Sequence, residues 1–169
     1  RTISGIIERD LGLSYKLLRM VNTVYCESKQ RITSISRALV HIGLSELRRW
    51  VPILMLKDLR RPDNAEAIKL SIIRGKMMDL IAVELGEERE SSDYFFTGLF
   101  SFIDVLMHQS MEQILKGLPL SNEVKEALMG EQNKYRRCLD YVTGCETASW
   151  DSEDFEKTAL IDSKKFMRF

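Results

Sequence analysis

Apolar residues in this chain recur at spacings of three and four almost from one end to the other. Leu13, Leu17, Met20, Val21 and Val24 fall at i, i+4, i+7, i+8 and i+11, the stripe of one helix over about residues 12–25. Ile3, Ile6 and Ile7 predict a shorter helix before it, with Gly12 breaking the pair. Ser34 can cap a short helix that runs to Ile42 and is closed by Gly43. Ser45 can cap the next, whose apolar positions are Leu47, Val51, Leu54 and Leu56. Pro52 lies inside that helix and predicts a kink or break, because it lacks a backbone donor and crowds the preceding turn. Arg61-Pro62-Asp63-Asn64 is the clearest punctuation in the chain.

Leu70, Ile73, Met77, Leu80 and Ile81 continue the pattern over Ala65–Leu85, and Gly86 ends it. The acidic run Glu87-Glu88-Arg89-Glu90 reads as a solvated link. Ser91-Ser92-Asp93 then opens a helix that is apolar nearly all round to Met107, as a helix wrapped by others must be. Gly117-Leu118-Pro119 reads as a loop, Ser121 as the cap of a helix reaching Met129, and residues 134–148 as another helix. Asp151 can cap a last one, with Trp150 and Phe155 placed as a hydrophobic staple. No segment alternates like a strand, and no repeat of solenoid length is present. The expected fold is all-α, an irregular multi-helix bundle forming a single domain over residues 1–169.

Composition fits a soluble globular chain: 169 residues, 44% hydrophobic and 30% charged, with no apolar run long enough to span a membrane. The 25 basic and 25 acidic residues cancel, which argues against nucleic acid or a membrane surface as partner. The zero conceals a split. Residues 1–61 hold 12 Lys/Arg and 5 Asp/Glu, whereas residues 62–169 hold 13 and 20. Either the two segments neutralise each other or they offer a basic and an acidic face to two partners. Cys26, Cys138 and Cys145, odd in number and scattered, suit reduced thiols in the cytoplasm rather than a disulfide framework. The chain begins at Arg1 rather than Met, which leads us to expect a fragment with an upstream part.

Chemistry-bearing motifs are scarce. The chain has no Gly-rich phosphate loop, no nucleophile elbow and no His-Glu-x-x-His. Its two histidines are His41, placed late in its helix, and His108. Asp104 and His108 stand at i, i+4 and could share a metal if further ligands such as Asp79 or Cys138 joined them; a surface hydrogen bond is the plainer reading. Met77, Met78, Met107 and Met111 fit core filler better than a docking groove. Arg48 and Arg49 with Lys57, Arg60 and Arg61 fit a solvated face. A nucleotide sensor would use Arg48, Arg49 and Arg74 on phosphates and Trp50 for stacking. Asn22, in a mostly apolar stripe, is expected to tie its helix to a neighbouring backbone. Arg48 and Trp50 are read as bracing the turn before Ser45.

The stretch Ser14–Leu59 resembles the opening of the HD-related output domain, HDOD, of bacterial signalling proteins. The resemblance is carried by Leu13-Ser14, Lys16-Leu17-Leu18-Arg19, Val21-Asn22, Ile32, Ser34-Ile35, Ala38, Ile42-Gly43, Leu47-Arg48 and Trp50. Thr97-Gly98-Leu99 and Leu118-Pro119-Leu120-Ser121 extend it at lower similarity to about residue 150, with Gly43 and Gly98 as structural positions. The latter segment and Trp150-Asp151 are most similar to proteins that join an EAL cyclic di-GMP phosphodiesterase domain to HDOD. The resemblance implies a fold like that of HD metal phosphohydrolases, whose His-Asp doublet holds a divalent ion that activates water. Here Ser101-Phe102 occupy the doublet positions, and the histidine pairs are His41-Ile42 and His108-Gln109. The metal site is therefore degenerate. The expectation is a cytoplasmic regulatory module with no enzyme activity and no cofactor. Its partner would be another protein, an upstream EAL domain or a second copy. The alternatives are a phosphohydrolase with a rearranged site and a nucleotide-sensing helical domain.

Overall fold

The computed structural model describes residue 7, residues 9–24 and residues 32–147. The expectations for Ile3, Ile6, Cys26 and the Trp150–Phe155 staple with its Asp151 cap lie outside these residues. Among the described residues every regular element is helical, and no helix is long and apolar enough to cross a membrane. The chain divides into two compact units, Arg1–Leu59 and Arg60–Phe169, so the structural break falls just before the break in charge.

The first unit is built on α1 (Leu11–Val24) and α2 (Ile35–Asp58). The break before α1 falls at Asp10 rather than Gly12. The Asp10 carboxylate accepts the Leu13 N–H at 2.9 Å, which fixes the helix start and leaves Gly12 inside the first turn. Leu17 and Val21 of α1, with Ile7, pack against Ile35, Ala38, Ile42, Leu47 and Leu54 of α2. Ser34 caps α2 through the Arg37 N–H at 3.3 Å. Gly43 interrupts α2 at φ 77°, ψ 164°, a conformation open essentially to glycine alone. As expected, Gly43 parts two helical segments within this run, and Ser45 stands in the first turn of the second; Pro52, expected to kink or break that segment, lies inside it, and the residue that leaves helical geometry is Gly43.

The second unit comprises α3 (Ala65–Glu84), a 3-10 turn (Glu88–Glu90), α4 (Ser91–Leu99), α5 (Ile103–Met107), α6 (Met111–Gly117), α7 (Asn122–Met129) and α8 (Lys134–Glu146). Buried Asn64 accepts the Arg61 N–H at 2.7 Å, shaping the turn that precedes α3. At the far end Gly86, φ 76°, closes α3: Gly86 N–H bonds Val83 O and Glu87 N–H bonds Ala82 O. Gly130 ends α7 in the same way. Ser121 and Asn133 cap α7 and α8 with their side chains. The centre is α3 against α4, with α8 packed on both and α7 on α4 and α8. Met78, Tyr94, Leu99, Val124, Tyr135, Cys138 and Val142 are fully enclosed there.

Two expectations are corrected in this unit. The single helix over 91–107 is two, α4 and α5, parted at Phe100–Phe102. The Ser101 hydroxyl donates to Gly98 O at 2.8 Å, a local bond that competes with helix continuation. Then α6 appears where no element was expected, started by Ser110, whose hydroxyl accepts the Gln113 N–H.

Candidate functional site

The site is built where α3 and α4 cross. A Cβ on Gly98 would stand 2.5 Å from Arg74 C and Gly75 N, so the two backbones approach as only glycine permits. Gly75 faces α4 in turn, its hypothetical Cβ 3.0 Å from Phe95 O and 3.2 Å from the Phe95 ring. This crossing brings Arg74 beside the turn that follows α4.

Arg74 is buried, 8% exposed, and every side of its guanidinium is used. Nε donates to Glu146 Oε1 at 2.9 Å and to Oε2 at 3.0 Å, and Nη2 donates to Oε2 at 2.7 Å. Nη1 donates to Ser101 Oγ at 3.1 Å, and Cζ lies 4.1 Å from the centroid of the Phe102 ring. Ser101 and Phe102, the doublet positions of the resemblance, therefore meet Arg74 from α3 and Glu146 from the end of α8.

A divalent ion does not fit these residues. Phe102 has no donor atom, and Ser101 Oγ already accepts from Arg74 and donates to Gly98 O. A second cation beside the guanidinium would also be repelled. Asp104 and His108 do not share a helix face: α5 ends at Met107, and His108 is an exposed residue in left-handed backbone, φ 53°, ψ 39°. Among the described residues no three His, Cys, Asp or Glu side chains group as metal ligands. Asp79 is buried and paired with Lys76 Nζ at 2.8 Å, and Cys138 is enclosed. Burial pushes the Cys138 thiol up to about 12, with a smaller contribution from Glu87, so it stays protonated.

The remaining candidates lie in the first unit. Asn22 Nδ2 donates to Leu18 O at 2.7 Å and to Ile32 O at 2.8 Å, and its Oδ1 accepts the Ile32 N–H at 2.8 Å. That clamp fixes α1 to the strand of chain leading into α2. Arg48 is exposed; Arg49 bonds Glu46 at 3.4 Å; Trp50 is half-buried. They belong to a different compact unit from Arg74.

A polar cluster escaped the sequence reading. Glu87 and Glu90, taken as a solvated link, are bound by side chains from α4 and α8. Tyr94 Oη donates to Glu87 at 2.9 Å, Tyr135 Oη to Glu90 at 2.9 Å, and Lys134 pairs with both carboxylates. The two tyrosine rings meet edge to face, centroids 4.8 Å apart. Desolvation, then the neighbouring glutamates, push both phenols up. The Lys134 bond, then that of Tyr135, holds the Glu90 carboxyl below its ordinary value. The signal in the sequence was only the placing of two acids before Tyr94, with Lys134-Tyr135 about 45 residues on.

Comparison with known proteins gives a match to the HDOD domain family over residues 1–132. The uncharacterized protein YuxH of Bacillus subtilis (strain 168) is 39% identical over 155 residues, covering 90% of this chain and 38% of its own length. The cyclic di-GMP phosphodiesterase CdgJ of Vibrio cholerae serotype O1 is 32% identical over 148 residues, covering 88% of this chain and 34% of its own. The chain thus spans little more than a third of the curated relatives it matches. No solved structure matches it at a significant level.

Proposed function

This chain belongs to the HDOD domain family, and from that premise we propose that it is a non-catalytic regulatory module that acts by binding another protein domain. The observation that carries the reading is Ser101-Phe102 at the positions the resemblance gives to the doublet, closed by buried Arg74 and its partner Glu146. Hydrolysis of a phosphodiester by HD-type chemistry needs an ion-activated water, and these side chains give such an ion no seat.

Regulation needs a partner surface, and apolar side chains stand in solvent on both units. Val40, Leu44 and Met55 of α2 are exposed, as are Ile73, Leu80 and Val83 of α3. Well over half of each matched relative lies outside the shared region, and one is named a cyclic di-GMP phosphodiesterase. The partner we propose is accordingly an EAL-type phosphodiesterase domain of the same polypeptide. Helices repacking at that contact would pass the signal. Incubated alone with cyclic di-GMP and Mg²⁺ or Mn²⁺, the chain is expected to release no linear dinucleotide. Turnover lost on Asp104→Asn or His108→Gln would overturn the reading in favour of a rearranged metal site.

A further inference from the structure

We propose that the Arg74 guanidinium is a resident cation of this domain, taking over the structural work that a metal ion does between the helices of an HD-type site. The proposal rests on the non-catalytic reading above and goes further, naming what replaces the ion. A metal bound between helices both neutralises acidic groups and pins the elements that carry its ligands. Arg74 meets both needs from within the chain.

Three side chains from two segments converge on it. Glu146, the last residue of α8, supplies the anion, gripped by the Arg74 fork through contacts of 2.7, 2.9 and 3.0 Å. Ser101, in the turn between α4 and α5, supplies a hydroxyl oxygen at 3.1 Å. Phe102 supplies the negative face of its ring at 4.1 Å. An oxygen and a ring at the doublet positions suit a planar organic cation, and a ring is useless to a metal. The match is two-sided: α3 brings the cation, and Ser101 and Phe102, at the positions the resemblance gives to the doublet, carry groups that receive it. Gly98 makes the arrangement possible, since any Cβ there would push the Arg74 backbone away from the turn. Unlike a metal, this cation is part of the chain and cannot be chelated. The end of α8 is then anchored permanently, with no dependence on metal supply.

Chemical rescue tests this. Arg74→Ala removes the cation and leaves Glu146 and Ser101 around a guanidinium-sized gap, and its melting temperature should fall by about 10 °C or more. Guanidinium chloride at about 20 mM, far below unfolding concentrations, should recover part of that loss relative to sodium chloride of equal strength. Wild type should gain nothing from the same addition. If Arg74→Ala does not fold, a cycle of Arg74→Met, Glu146→Met and the double variant replaces it, the double being more stable than the two single losses predict. Absence of rescue in a folded Arg74→Ala, or simple additivity in the cycle, overturns the proposal while the non-catalytic reading stands. Stoichiometric Mn²⁺ or Zn²⁺ binding by wild type with a rise in melting temperature would overturn both.

Discussion

Gly98→Ala is the sharpest perturbation of the helix crossing that builds the site. The added methyl would lie 2.5 Å from Arg74 C, 2.5 Å from Gly75 N and 2.7 Å from Arg74 O, all backbone atoms that cannot rotate aside. Ordinary contact begins near 3.4 Å, so α3 and α4 must part by roughly an ångström. A gap of that size forfeits about a quarter to a half of the dispersion energy across the seam, where Met78, Leu99 and Phe95 are buried. Overpacking of a core position typically costs about 1–3 kcal/mol, and a clash with rigid backbone belongs at or above the top of that range. Helix propensity opposes this by only about 1 kcal/mol in favour of Ala. The expected net loss is therefore about 2–3 kcal/mol, a fall in melting temperature of roughly 4–12 °C. Gly75→Ala serves as the internal comparison: its closest contacts are 3.0 Å to Phe95 O and 3.2–3.3 Å to a ring that can tilt, so it should lose clearly less. Thermal melts followed by circular dichroism and calorimetry measure both. A Gly98→Ala variant melting within about 2 °C of wild type, or above Gly75→Ala, would refute the close-crossing argument.

Other side chains give independent tests. Asn22→Ala should cost about 1–3 kcal/mol in urea unfolding, because it strands the N–H and the carbonyl of Ile32; an unchanged midpoint would mean the clamp is worth nothing. Glu90→Gln should destabilise at neutral pH. Because the folded Glu90 carboxyl titrates below its ordinary 4.5, its contribution is present above that value and lost as pH falls through the lower folded one. The two proteins' stabilities should therefore converge in acid, and a difference that persists there would contradict the assignment. In a Cys26→Ser background, Cys145, which is half-buried, should react with a thiol reagent at pH 8 well before Cys138, whose thiol is enclosed and pushed up to about 12. Equal rates in the folded protein would show the α8 core to be open.

Elements with local signals could be read from the sequence. Ser34, Ser121, Gly86 and Gly130 mark helix ends because the groups they satisfy lie within a few residues. Ser110 with Gln113 carries the same kind of signal for α6. The break at Phe100–Phe102 was harder, since Ser101 answers to Arg74, 27 residues earlier, as well as to Gly98. Nor does any spacing connect Arg74 to Glu146 across 72 residues, so an arginine locked in an ion pair was legible only as a charge. The acidic link is largely exposed, as expected, but no local spacing shows that Lys134 and Tyr135, more than 40 residues on, bind Glu87 and Glu90. The resemblance assigns Ser101-Phe102 to the doublet positions; no sequence signal shows that Arg74 and Glu146 surround them.

The central claim is that this domain performs no hydrolysis itself and regulates a catalytic partner. The most direct measurement is cyclic di-GMP turnover by the EAL-type domain proposed as its partner, assayed with this domain attached and removed. The account predicts a several-fold change in rate or in substrate affinity, retained when Asp104 and His108 are replaced. Identical turnover, affinity and oligomeric state in the two forms would contradict it.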